Sequence, residues 1–252
     1  MAATIENVSE DTARLSYGTW RRQKGWKPLH VVDAEGCWFT DAKGKRYLDL
    51  SSQLMCSNLG HKNKAVIDSI AEQAKKLAFV APGFATDVRA QLSRLLLEVL
   101  PAGLTKFFYT TSGTEANEAA IKIARAYTGK YKIISRYTSY HGSTAASIAC
   151  TGDLRRWSVE PAGKVDGVIF APDADCRRCP LGKKHPECNV ACADYLQYMV
   201  EHESNVAAVI VEPIVGTNGV IVPPKDYLPR LAEICKRNGV LLIADEVMTG
   251  WG

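Results

Sequence analysis

Nowhere in the 252 residues is there a run of about 18 apolar residues, the length a helix needs to span a bilayer. The opening Met-Ala-Ala-Thr-Ile-Glu-Asn also lacks the basic and then apolar stretches of a secretory leader. Together these absences predict a cytoplasmic protein with no membrane partner. Lys and Arg do not gather into a stripe, and the formal charge of +4 is spread among interleaved acids and bases, so no nucleic-acid footprint is present. Internal repeats and low-complexity tracts are missing too. No Gly-Lys-Ser/Thr ending follows any glycine loop, which disfavours a nucleotide P-loop. What remains points to a small-molecule partner.

A domain usually holds about 100–200 residues, so this chain is one large domain or two small ones. Its texture changes partway. Residues 1–80 read as an amino-terminal arm, a hairpin and a helix. The hairpin lies within Cys37–Leu50, where two aromatic, β-prone runs flank Asp41, Lys43 and Gly44. Helical spacing follows in Ala65, Val66, Ile70, Ala74 and Leu77, then in Val88, Leu92, Leu95 and Val99 before Pro101. Residues 81–252 read as an α/β domain with a cysteine-rich insertion at 172–193. Short apolar runs at Phe107–Thr110, Ile133–Ser135, Val168–Ala171, Val206–Val211 and Val240–Ala244 carry little polar alternation. That pattern predicts strands of a mostly parallel sheet buried on both faces, with helices such as Glu115–Tyr127 and Tyr227–Asn238 between them. The sequence stops on Thr249-Gly250-Trp251-Gly252, just after an apolar strand, which predicts a fragment of a longer chain.

Four constellations carry chemistry. Thr111-Ser112-Gly113-Thr114-Glu115 joins a strand-like run to a helix start, and fits either a simple helix cap or a cup of N–H and hydroxyl groups for a phosphate monoester. Ser139-Tyr140-His141-Gly142-Ser143 follows an apolar run and sets an aromatic ring beside a glycine, suited to packing or to covering a planar ligand. Val240-Leu241-Leu242-Ile243-Ala244 ends in Asp245-Glu246, and Val209-Ile210-Val211 ends in Glu212-Pro213. A carboxylate at the end of a buried strand needs a cation or N–H donors; a protonated pyridine nitrogen would serve, as would loop amides. Open α/β sheets bind ligands at these strand ends, so the four belong to one site.

With these residues stand Asp49-Leu50, Asn58-Leu59-Gly60-His61, Gly219 to Pro224, and Thr249-Gly250. In that order the set resembles the class III pyridoxal-phosphate aminotransferases, enzymes of ω-amino acids and amines with the type I fold. The resemblance implies that Ser112, Gly113 and Thr114 hold the phosphate of pyridoxal 5'-phosphate, within a site that includes His141. It further implies that Tyr140 stacks on one face of the ring, that Val247 packs on the other, and that Asp245 pairs with the ring nitrogen. Glu212 takes the place of a switch carboxylate that pairs with a later arginine, and Leu54, Met55 and Cys56 fall in the stretch that shapes the substrate pocket. The implied reaction passes an amino group from an ω-amino acid or primary amine to a 2-oxo acid, pyruvate or 2-oxoglutarate, by a ping-pong route. Racemisation, aminomutation or decarboxylation on the same scaffold would use the same motifs. A non-catalytic module built on the cysteine cluster is the reading outside enzymes. The family's cofactor-binding lysine falls beyond Gly252. A homodimer is also implied, and the apolar, aperiodic run Ser52–Leu59 needs another surface to cover it.

Of the eight cysteines, Cys37, Cys56, Cys150 and Cys235 stand singly and read as small reduced hydrophobes. Cys176-Arg177-Arg178-Cys179 and Cys188-Asn189-Val190-Ala191-Cys192, with His185 between, have spacings near those of a four-thiolate zinc site. Reduced thiols, disulfides or an iron–sulfur centre fit the same spacing. The site residues predicted above include no metal ligand.

Overall fold

The computed structural model describes residues 7–163 and 165–250. The chain divides into two compact units between Leu92 and Ser93.

In the first unit, α1 (Val8–Leu15) begins where the Asn7 side chain accepts the Glu10 N–H, a standard helix cap. Strands β1 (Val31–Glu35), β2 (Trp38–Asp41) and β3 (Arg46–Leu48) form an antiparallel sheet in that order. The expected hairpin is β2–β3. Its turn is tied by Asp41, whose Oδ1 accepts the N–H groups of Lys43 and Lys45 and whose Oδ2 accepts the Tyr47 hydroxyl. Gly44 supplies the left-handed residue at φ +79°. Helix α2 (Lys64–Lys76) is capped by Asn63 and closes with Lys75 and Lys76 in its last turn, where cations suit the helix dipole. Ser52, Gln53, Leu54 and Met55 all have positive φ, so this segment is one left-handed turn. Each such non-glycine residue costs on the order of 1 kcal/mol. Helix α3 (Asp87–Val99) carries the chain across the division.

The second unit is built on a parallel sheet of β4 (Lys132–Arg136), β5 (Val168–Ala171), β6 (Val206–Val211) and β7 (Leu241–Ala244), ordered β5-β4-β6-β7. All six residues of β6 are buried. Alternate side chains enter two different cores. Val209 and Val211 pack with Leu196 of α7 (Ala191–His202) and with Leu231 and Ile234 of α8 (Tyr227–Arg237). Ala208 and Ile210 pack with Ile121 and Ala124 of α4 (Gly113–Thr128) and with Ala146 and Cys150 of α5 (Ala145–Cys150). Burying one such aliphatic side chain stabilises the fold by about 1.5–3 kcal/mol. Helices on both faces explain why the strands read as continuous apolar runs.

One expected strand is not there: Phe107–Thr110 has no ladder partner among the described residues and no regular structure. Phe108 is largely exposed, so the run lacks the two-sided burial that drives strand pairing in this sheet. Among the described residues no helix is long and apolar enough to cross a membrane.

Candidate active site

Helix α4 opens at the carboxyl ends of the strands. The Ser112 hydroxyl accepts the Glu115 N–H at 3.2 Å, and the Glu115 carboxylate returns to the Thr111 N–H and hydroxyl at 2.9 and 2.6 Å. The N–H groups of Gly113 and Thr114, in the first turn, have no acceptor within the helix itself. The cap does not use up the donors of this helix start, because Ser112 uses a lone pair for the cap and retains its hydroxyl hydrogen. Gly113 is required by space: a Cβ there would lie 2.6 Å from Val247 Cγ2. Gly142, at φ +141°, faces the same crowding, with a Cβ 2.5 Å from Ser147 Oγ and 2.9 Å from Thr114 Oγ1. The two glycines thus bring the α4 terminus, the loop after β4 and the loop after β7 into contact.

The loop after β4 is fixed from below. The Tyr140 N–H donates to Glu212 Oε1 at 2.9 Å, and the His141 N–H donates to the Thr151 hydroxyl at 3.0 Å. The Arg155 guanidinium, in the short helix α6 (Leu154–Trp157), lies 4.1 Å from the centroid of the Tyr140 ring. Arg155 is held in turn by Asp153, Thr217 and Asn218. Glu118 lies one turn along α4 from Thr114. It accepts the Ala146 and Ser147 N–H groups and the Thr144 hydroxyl, so a carboxylate from one helix caps the next.

Asp245 is buried and its N–H donates to the Val211 carbonyl, continuing the β6–β7 ladder. Its Oδ2 accepts from His141 Nδ1 at 2.7 Å and from Asn117 Nδ2 at 2.8 Å; its Oδ1 accepts the Val247 N–H at 3.2 Å. Burial alone would push this carboxyl up. The His141 hydrogen bond and charge, then the Asn117 amide and the Val247 N–H, outweigh burial and hold it below its ordinary value. Because the carboxylate only accepts, His141 Nδ1 carries a proton, while its buried Nε2 has no partner among the described residues.

Glu212 is also buried. Its two oxygens accept the Tyr140 and Gly216 N–H groups, and its carbonyl accepts from Arg136 at 2.6 Å. This arrangement fixes two loops, and each oxygen, holding one backbone donor, keeps a second lone pair. Ser112, Gly113, Thr114, Tyr140, His141, Glu212, Asp245 and Val247 are thus linked in the second unit through one network of contacts. Leu54, Met55 and Cys56 belong to the first unit, where all three are exposed on the left-handed turn and its exit. Asn117, Glu118 and Arg155 were missed. For Asn117 a signal existed: it lies four residues before Ile121 and seven before Ala124, on the buried stripe of α4.

The cysteines divide by environment. Cys150 and Cys235 are buried in the two cores, and burial pushes both thiols up to about 12. Cys37 and Cys56 are exposed, unlike the buried hydrophobes they resemble in sequence. Cys176, Cys179, Cys188 and Cys192 are free thiols that line one small pocket with His185. Among the described residues no group of three or more His, Cys, Asp or Glu side chains is placed to hold a metal ion.

The aminotransferase class-III family profile matches residues 20–252. A leucine/methionine racemase of Thermococcus litoralis is 36% identical over 234 residues, covering 90% of this chain and 52% of its own. An omega-amino acid–pyruvate aminotransferase of Pseudomonas putida is 36% identical over 240 residues, covering 89% and 52%. Among solved structures, taurine:2-oxoglutarate aminotransferase of Bifidobacterium kashiwanohense, in complex with PLP and glutamate, superposes with a TM-score of 0.85 at 36% identity, covering 96% of this chain and 55% of that one. The chain thus spans about half the length of the curated relatives it matches. A parallel sheet with helices on both faces, the α4 terminus set against the β7 loop and the extent of these matches lead to one assignment: the chain belongs to the class III aminotransferases.

Proposed function

We propose that the whole protein is a pyridoxal-phosphate-dependent aminotransferase, passing an amino group from an ω-amino acid or primary amine to a 2-oxo acid such as pyruvate or 2-oxoglutarate by a ping-pong route. The observation that carries this reading is the state of Asp245. A buried carboxylate, held ionised, keeps one oxygen with acceptor capacity, in a loop that touches the α4 amino terminus through Val247 and Gly113. That pairing suits a flat ligand with a phosphate at one end and a basic ring nitrogen at the other. When bound, pyridoxal phosphate supplies a ring that withdraws electrons from the amine carbon.

The protein's own residues do the rest. Ser112, Gly113 and Thr114 bind the phosphate with hydroxyls and N–H groups at a helix terminus. Tyr140, anchored by Glu212 and stacked by Arg155, covers one face of the ring, and Val247 covers the other. Asp245 holds the proton on the ring nitrogen, and Glu212 is the switch carboxylate that the resemblance implies, while its Oε1 also positions Tyr140. Leu54, Met55 and Cys56 are proposed to shape the donor pocket, supported by their exposure and by the resemblance. A homodimer is proposed on the same resemblance, and exposed apolar side chains such as Ile67 and Ile70 on α2 favour it.

Racemisation is the second reading, favoured by 36% identity to a racemase over 90% of the chain. The deciding experiment gives the full-length protein an amine donor without acceptor. Transamination leaves pyridoxamine phosphate on the enzyme and releases the carbonyl product. Racemisation exchanges the substrate's α-hydrogen with solvent and consumes no donor.

A further inference from the structure

The Asn117 side chain is buried on α4, four residues after Gly113 and hence on the same helical face, about 6 Å further along the axis. Its amide nitrogen lies 2.8 Å from Asp245 Oδ2 and 2.8 Å from the His141 carbonyl oxygen. Both neighbours are acceptors, so the nitrogen must face them, and its two hydrogens are both used. Oδ2 of Asp245 then holds two donors, Asn117 and His141, which fill its in-plane lone pairs. Among the described residues Oδ1 holds only the Val247 N–H and keeps one lone pair.

We propose that Asn117 is a positioning residue of the cofactor site. Its amide locks the Asp245 carboxylate in the one rotation that presents Oδ1 to the ring nitrogen, and it ties the His141 backbone to the same point. One helix thereby sets both ends of the ligand: its first turn receives the phosphate, and its second turn, through Asn117, fixes the carboxylate that meets the ring. The spacing along α4 acts as a gauge for a rigid ligand carrying a phosphate and a basic nitrogen a few ångströms apart. A helix cap alone does not call for a buried amide one turn further on. A packing role alone would be served better by an apolar residue on this stripe, because a buried amide must find partners for all its polar atoms.

The inference rests on the reading of this site as a pyridoxal-phosphate site, and the test separates the two. In the full-length protein, Asn117→Leu keeps the branched shape and heavy-atom count and removes both donors, while Asn117→Ser keeps a donor and leaves room for water. The expected result for Asn117→Leu is pyridoxal phosphate affinity within about tenfold of wild type. The half-reaction with amine should slow by about 10- to 100-fold, the order expected for a hydrogen bond to a charged group, with the amine KM little changed. The induced circular dichroism of the bound cofactor should change as well. Asn117→Ser should fall between Leu and wild type.

In the cofactor-free protein, the 15N resonances of the His141 ring should move in Asn117→Leu, a readout that needs no ligand. Half-reaction rates within threefold of wild type with unchanged dichroism and an unmoved His141 signal overturn the proposal. So does a rate loss that disappears when cofactor is saturating, or loss of the fold in both variants, which would make Asn117 structural only. If wild-type protein binds no pyridoxal phosphate, the functional reading fails, and the His141 signal still decides whether Asn117 clamps Asp245.

Discussion

His141 Nδ1 donates to Asp245 Oδ2 across 2.7 Å, and the two side chains are 0% and 4% exposed. Water cannot screen this pair, so what one group carries the other feels strongly. Removing the imidazole by His141→Leu strips the carboxylate of its largest favourable interaction and leaves burial, which raises it, opposed by the Asn117 amide and the Val247 N–H alone. The expected outcome is a bound cofactor whose ring nitrogen loses its proton at lower pH than in wild type. A pH titration of the cofactor absorbance in the full-length protein checks this, and an unchanged titration contradicts it.

Gly113→Ala would put a methyl group 2.6 Å from Val247 Cγ2, well inside contact distance. Overpacking of this kind costs about 1–3 kcal/mol, and the strain falls on the helix terminus that holds the phosphate. Pyridoxal phosphate affinity should fall by about tenfold or more, and Val247→Ala in the same chain should restore most of it. Equilibrium titration of the four proteins of this cycle measures the coupling.

Ser112→Ala and Thr114→Ala should weaken cofactor affinity more than they slow the cofactor-saturated rate. Phosphate contacts are made equally in ground and transition states, so their loss shows as binding. Cofactor dissociation unchanged in both variants would remove these residues from the phosphate site.

Glu212→Gln offers one acceptor oxygen where the carboxylate offers two, and turns an NH2 group toward a backbone donor. Leaving the Tyr140 or Gly216 N–H without an acceptor costs about 1–3 kcal/mol. Urea unfolding should show a lower midpoint, by that loss divided by the slope, with the slope itself unchanged.

Cys150 and Cys235 have thiols raised from an ordinary value of 9.0 to about 12. A folded value above the unfolded one means that their contribution is fully present below about pH 9 and is lost as pH rises toward 12. Stability should decline through that window by about 1.4 kcal/mol per pH unit for each thiol, and more gently in Cys235→Ala. Denaturation midpoints measured from pH 8 to 11 test the slope.

The sheet was legible in the sequence because its central strands, β4 and β6, are buried on both faces and the flanking strands are apolar as well. Val168–Ala171 and Val206–Val211 read as unbroken apolar runs and are β5 and β6 as observed. Phe107–Thr110 carried the same signal without the burial, since hydrophobicity marks what could be buried and not what finds a partner. The site's ends were legible for a related reason: acids at the ends of apolar strands and a Ser-Gly-Thr helix start are local patterns. The residues that hold those ends were not. Asn117 meets Asp245 across 128 positions, and Tyr140 meets Glu212 across 72, so no local window contains both partners. Arg155 over Tyr140 is a similar case, since a solvated helix arginine and one stacked on a ring look alike in sequence.

The central claim is that Asp245 keeps a proton on the ring nitrogen of a bound pyridoxal phosphate. Asp245→Asn in the full-length protein tests it most directly, through the rate of the half-reaction with amine under saturating cofactor. The account predicts that cofactor still binds and that the rate falls by several orders of magnitude, because an unprotonated pyridine withdraws electrons poorly. A variant that keeps more than a tenth of the wild-type rate, a difference of only about 1.4 kcal/mol, would contradict it.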